Sequence, residues 1–108
     1  EYARAVGRFM ISSYLTVPAY AAFHEWVGRG EKLKPMQDAW DAGDRKGAGA
    51  LIPDDVLDDL VLHGSPESCR EQVQAYADAG VKTPMMGLVP TPDGPPTIDL
   101  LRRLGAGA

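Results

Sequence analysis

Side chains equipped for chemistry are sparse in this chain of 108 residues, and few are spaced to work together. The soft metal ligands are His24, His63 and Cys69. No two of them share the short spacing, such as C-x2-C, that zinc sites use, so no metal site is expected. Ser65 lies two residues from His63, yet sequence neighbours need not face each other, and no G-x-S-x-G elbow surrounds the serine. His63, beside Gly64, reads instead as a cation near a helix C-terminus, where the dipole favours it. Asp54, Asp55, Asp58 and Asp59 gather at a helix start, a pattern of dipole compensation on a solvated face rather than of an acid/base pair. On these grounds no catalytic residue is assigned. No G-x-G-x-x-G follows a strand, which leaves a Rossmann phosphate loop unsupported.

Gly64-Ser65-Pro66-Glu67 offers the best ligand contact in the sequence. A helix N-terminus presents free N–H groups and a partial positive charge, which suits a phosphate. The same four residues also read as a cap: Ser65 at N-cap, Pro66 at N1, and Glu67 as a first-turn acid that would repel an anion. Capping alone accounts for Ser65, and Gly64 and Ser65 stand as the cofactor-binding candidates. Tyr14, Tyr20, Phe23, Trp26 and Trp40 likewise have two readings. Their spacing fits helix core, and their type fits the wall of a substrate mouth or a dimer contact.

The elements that would position these groups are nearly all helical. Tyr2, Val6, Phe9, Met10 and Tyr14 recur in steps of three or four and predict one apolar helix face, with Arg4 and Arg8 on the other side. Thr16 reads as an N-cap, with Pro18 in the first turn and Phe23, Trp26 and Val27 inward until Gly28 and Gly30 stop the helix. A short helix reopens at Leu33-Lys34-Pro35-Met36, turns Met36, Ala39 and Trp40 inward, and ends at Gly43. Asp44 caps a stretch to Leu51 that Gly47 and Gly49 weaken. Pro53 and Asp54 restart the chain, with Val56, Leu57, Leu60 and Val61 as its apolar face and His63-Gly64 as its end. The helix after Ser65 is the clearest: Cys69, Val73, Tyr76 and Ala77 face one way, Glu67, Glu71, Gln74 and Asp78 the other, and Gly80 caps it.

After Gly80 the period changes. Met85-Met86-Gly87-Leu88-Val89 is a continuous apolar run between Pro84 and Pro90, which predicts a strand over 85–89 buried on both faces. Residues 91–96 form a turn-rich connector. Thr97 caps a terminal helix over 97–104 with Ile98, Leu101 and Leu104 inward, and 105–108 should fray. Such a strand needs hydrogen-bonding neighbours, and no second convincing strand exists in the sequence. Residues 85–89 therefore pair with strands outside these residues, pair with another chain, or are not a strand; the first is favoured, because helix, glycine, strand, loop and helix in this order read as the closing portion of an α/β repeat.

Composition bounds the partners. With Lys plus Arg at 11 and Asp plus Glu at 15, the formal charge is −4, a poor basis for holding a phosphate backbone. The 44% hydrophobic and 24% charged fractions match an ordinary globular protein. No apolar run approaches the roughly 18–20 residues of a membrane span, and the opening residues lack a signal-peptide core. One cysteine permits no intrachain disulfide, in keeping with a reducing, cytoplasmic setting. Nucleic acid and membrane are therefore not expected partners. A homo-oligomer is allowed.

Five pieces, in order, carry a resemblance: Tyr14-Leu15-Thr16-Val17-Pro18-Ala19-Tyr20-Ala21-Ala22-Phe23; Met36-Gln37-Asp38-Ala39-Trp40-Asp41-Ala42-Gly43-Asp44-Arg45; Ile52-Pro53-Asp54-Asp55-Val56; His63-Gly64-Ser65-Pro66-Glu67-Ser68-Cys69; and Tyr76-Ala77-Asp78-Ala79-Gly80-Val81. Together they resemble the C-terminal part of luciferase-like flavin or deazaflavin oxidoreductases, closer to the deazaflavin branch. The resemblance implies an α/β fold, a C-terminal fragment of a (β/α)8 barrel, with 1–108 as a single partial domain. A complete barrel of this kind takes ~250 residues. Glu1 would then follow the seventh strand, and 85–89 would be the eighth. The parent would use the deazaflavin coenzyme F-420, or alternatively FMN, on a small organic substrate. Ring-contacting residues of such enzymes lie mostly in earlier strand ends, so no cofactor binding or activity is expected of this chain alone. A rival reading is a small non-catalytic helical interaction module that docks through an exposed strand edge or aromatic face.

Overall fold

The computed structural model describes residues 1–105, which are mostly helical and divide into two compact units, Glu1–Val61 and the chain from Leu62 onward. The first unit holds α1 (Tyr2–Leu15), α2 (Pro18–Trp26), α3 (Gly30–Asp41), α4 (Arg45–Ala50) and α5 (Asp54–Leu60). The second holds α6 (Pro66–Asp78) and α7 (Ile98–Leu104). Among the described residues no helix is long and apolar enough to cross a membrane.

The core of the first unit is Leu15, Leu33, Met36, Ala48, Ile52, Val56 and Leu57, with Ile11, Ala39, Trp40, Leu60 and Val61 packed against it. The apolar faces predicted for α3 and α5 are therefore the buried ones. Asp44 caps α4 as predicted, its carboxylate accepting from the Gly47 N–H at 2.8 Å. The Arg45 guanidinium sits 5.0 Å from the Trp40 ring centre, a cation–π contact that covers the tryptophan's outer side.

On α1 the predicted polarity is reversed. Phe9 is 82% exposed, and Tyr2, Met10 and Tyr14 also face water, while Gly7, Ser12 and Leu15 are buried. The reason lies on α5. Arg4 donates to both carboxylate oxygens of Asp58, at 3.1 and 2.7 Å, while Arg8 donates to the Ile52 carbonyl at 3.0 Å and pairs with Asp54. The arginines turn toward α5 to meet these acceptors, and the small Gly7 lets the helices close. A Cβ there would lie 3.0 Å from Leu57 Cδ1. The aromatic stripe is left outside.

Two helix boundaries also differ from expectation. Thr16 ends α1 rather than capping α2, its hydroxyl donating to the Ser13 carbonyl at 2.9 Å, and Val17 takes the N-cap position. Gly28, at φ +87°, stops α2, whereas Gly30 opens α3, so Pro35 falls inside that helix. A proline there lacks the N–H owed to the Glu31 carbonyl, and complete burial of Leu33 and Met36 outweighs that loss. Phe23, Trp26 and Val27 of α2 are exposed, and His24 is the buried residue.

In the second unit Ser65 caps α6, Gly80 ends it at φ +107°, and Thr97 caps α7 by accepting from the Leu100 N–H at 3.2 Å. The 91–96 connector is a turn closed by paired Thr91 and Gly94 backbone bonds at 3.1 and 3.0 Å. The strand predicted over 85–89 does not form. Among the described residues no β-ladder exists, and Met85 is 95% exposed. An apolar run cannot hold a ladder conformation without a neighbouring strand to receive its N–H and C=O groups. Of the residues expected inward on α7, only Leu104 is buried. On α6, Cys69 and Val73 are half-buried, while Tyr76 and Ala77 are exposed. The fraying expected at the C-terminus falls, for 106–108, outside the described residues.

Candidate functional site

The Gly64-Ser65 start of α6 is built by short-range interactions. Gly64 has φ +121°, and a Cβ at this position would sit 3.2 Å from Ser68 Oγ, so both conformation and space call for glycine. The Ser65 hydroxyl accepts from the Ser68 N–H at 3.1 Å, and the Ser65 carbonyl accepts from the Cys69 N–H at 2.9 Å. Gln72, which sequence reading overlooked, ties the preceding loop to the helix. Its amide donates to the His63 carbonyl at 2.9 Å and to the Ser68 carbonyl and hydroxyl at 3.2 Å each. Burial pushes the Cys69 thiol up, which disfavours the thiolate.

Glu67 does not stand as a lone anion. Arg103 of α7 donates to its Oε1 from Nε at 3.2 Å and from a terminal nitrogen at 2.6 Å. That contact, foremost, holds the Glu67 carboxyl below the usual range, with help from the backbone and Ser65. Around the pair opens a groove of about 430 Å³ lined by Glu67, Arg70, Glu71, Arg102 and Arg103. Arg70 and Arg102 form no ion pair among the described residues. The groove was not legible beforehand, because it brings together side chains more than 30 positions apart. The only sequence signal was the Arg102-Arg103 doublet itself.

The other predicted groups resolve into structural roles. Asp54, Asp55, Asp58 and Asp59 each pair with a cation: Asp54 with Arg8, Asp55 with Lys32, Asp58 with Arg4 and Asp59 with Arg29. They tie α5 to its neighbours rather than only offsetting its dipole. Among the described residues no three His, Cys, Asp or Glu side chains gather where a metal could bind. His24 is buried beside Phe23, their ring centres 5.4 Å apart, and its Nδ1 finds no hydrogen-bond partner among the described residues. Burial, then the nearby Arg29 charge, push its pKa down.

Each unit is built of helices, of which α4, α6 and α7 carry side-chain caps, and among the described residues no metal-ligand cluster forms. A sequence model of luciferase-like monooxygenases matches residues 1–83. The chain belongs to that family. The match spans all of the first unit and α6, so the resemblance seen in the five sequence pieces is sustained at the level of the family. Luciferase-like monooxygenases are TIM-barrel proteins of flavin-type oxidoreductase chemistry. Members generally employ FMN or a deazaflavin. Neither a curated protein nor a solved structure matches this luciferase-like chain.

Proposed function

We propose that this chain is the C-terminal segment of a (β/α)8 oxidoreductase barrel, a single partial domain whose parent passes hydride between a flavin-type cofactor and a small organic substrate. The observation that carries the reading is the luciferase-like match over 1–83, on helices beside which no β-ladder lies among the described residues. The wording of the five sequence pieces is closer to the deazaflavin branch, which favours the deazaflavin coenzyme F-420, with FMN as the alternative. Within this reading 91–96 is the connector to the terminal helix over 97–104. Gly64 and Ser65 are this chain's contribution to a cofactor phosphate. The Ser65 hydroxyl accepts from Ser68 yet keeps its own proton for a phosphate oxygen, and Arg103 offsets the Glu67 charge beside it.

The residues present do not fit a whole cofactor. The α6–α7 groove is an open, charged trough, and the dent beside Thr91 and Leu100, about 170 Å³, is smaller than the roughly 300 Å³ at which small-molecule sites begin. Hydride chemistry belongs to the cofactor, and the protein supplies binding and orientation, so no reaction step is assigned to these side chains. Two measurements test the reading. Coding DNA upstream of Glu1 is expected to continue in frame through further βα units. Fluorescence titration of the isolated chain with FMN and with the deazaflavin is expected to show no saturable binding. Micromolar affinity for either, or a start codon adjacent to Glu1, overturns the segment reading.

The exposed aromatic face of α1 and α2 gives the second reading, a non-catalytic helical interaction module, its own support.

A further inference from the structure

Asp93 differs from the other aspartates of this chain in both sequence and setting. A glycine follows it, whereas every other aspartate precedes a residue that carries a Cβ. Asp38 and Asp41 of α3, the aspartates of α5, Asp78 of α6 and Asp99 of α7 lie in helices, and Asp44 is a cap. Helical dihedrals hold the amide nitrogen of the next residue away from the aspartate carboxyl. Asp93 is instead exposed, in the turn from Thr91 to Gly94. Among the described residues its carboxylate has no hydrogen-bond or ion-pair partner. We propose that Asp93–Gly94 is a site of spontaneous backbone modification, at which Asp93 converts to isoaspartate through a cyclic succinimide. The inference does not depend on the oxidoreductase reading.

The step balances without a co-reactant beyond water. The Gly94 nitrogen bonds to Cγ of the neutral Asp93 carboxyl, and the hydroxyl of that carboxyl leaves with the amide proton as water. Water then adds back to either carbonyl of the ring and breaks its bond to nitrogen. Opening at Cγ restores aspartate. Opening at the former main-chain carbonyl routes the chain through Cγ and frees an α-carboxylate, which is isoaspartate. Mass is unchanged, and nothing is oxidised or reduced. The local geometry leaves room for this closure. Gly94 stands at φ +124°, and a Cβ built on it would meet nothing within 4 Å. The contact that must break is the Gly94 N–H bond to the Thr91 carbonyl, at 3.0 Å. That turn bridge is isolated, with no ladder behind it among the described residues, so it opens locally at small cost. Isoaspartate inserts a methylene into the main chain inside the turn, so the paired Thr91 and Gly94 bonds lose their register. The class of enzyme that would act on the product is a carboxyl methyltransferase that esterifies the freed α-carboxylate from S-adenosylmethionine.

The test is to age the 108-residue chain in warm, mildly acidic buffer and then assay labelled methyl transfer by an isoaspartate-specific methyltransferase. Methyl acceptance should grow with time. The tryptic fragment 83–102 should resolve into two chromatographic forms of equal mass, with fragmentation placing the β-linkage at Asp93 and not at Asp99. Asp93→Glu needs a larger ring, so methyl acceptance should be lost while helicity by circular dichroism holds. Asp78→Glu should leave acceptance as in the parent chain. A synthetic peptide of residues 83–102, aged alongside, gives the rate without the fold. Isoaspartate in the peptide but not in the intact chain overturns the proposal, because the turn then protects the bond. Acceptance that survives Asp93→Glu, or isoaspartate spread equally over the helical aspartates, overturns it as well.

Discussion

His24 is the residue whose environment is least comfortable. Its imidazole is buried, its Nδ1 has no hydrogen-bond partner among the described residues, and burial followed by the Arg29 charge lowers its pKa from the ordinary value near 6.5. The folded protein therefore binds this proton less readily than the unfolded chain does. The stability linked to His24 is complete above the unfolded value and drains away as pH falls through the folded one. Urea midpoints are expected to fall between pH 7.5 and pH 5.5, and His24→Gln should flatten that slope. A second loss is expected at lower pH, because Asp55 beside Lys32 and Glu67 beside Arg103 are held below their ordinary values and lose these interactions on protonation. Ser65 is a plainer case. Ser65→Ala removes the acceptor of the Ser68 N–H and should cost about 1 kcal/mol in chemical denaturation. A cap of this kind reaches three residues, so it was legible without any tertiary information. His24 was not, since nothing local says that a histidine between Phe23 and Glu25 turns inward.

Among the elements, α3 carries the sharpest internal conflict. Pro35 interrupts its hydrogen-bond ladder while Leu33 and Met36, on either side, are both completely buried in the core. Local propensity sets the helix start near the proline; packing moves it back to Gly30. Pro35→Ala should restore the Glu31 carbonyl's partner and raise stability by about 1–2 kcal/mol, less what the unfolded chain regains in freedom. Since Pro35 is exposed, no packing is lost, and the urea midpoint reads the gain directly. The hydrophobic period of α1 is helical, but a period alone does not say which side faces the core. The guanidiniums of Arg4 and Arg8 decided that by reaching Asp58, Asp54 and the Ile52 carbonyl. An amphipathic helix has two faces, and its partner selects between them.

At the scale of the molecule, the segment over 85–89 tests what the chain lacks. It reads as a buried strand and stands as exposed, irregular chain. Met85→Ser is therefore expected to change the stability of the 108 residues by no more than about 0.5 kcal/mol, whereas the same change in a barrel strand would be a core lesion. Amide exchange over 85–89 should be fast for the same reason, with no ladder to protect it. What the sequence determined by itself is the punctuation: capped starts at Asp44, Ser65 and Thr97, glycine stops at Gly28, Gly43 and Gly80, and the turn at Thr91–Gly94. These depend on groups within a few residues of each other, whose geometry the backbone fixes locally. Only the tertiary structure decided which face of α1 and α2 is covered, how the α5 carboxylates are paired, that Glu67 and Arg103 meet, and that 85–89 forms no strand. Each of those depends on a partner distant in sequence, and burial and pairing are properties of the two surfaces together.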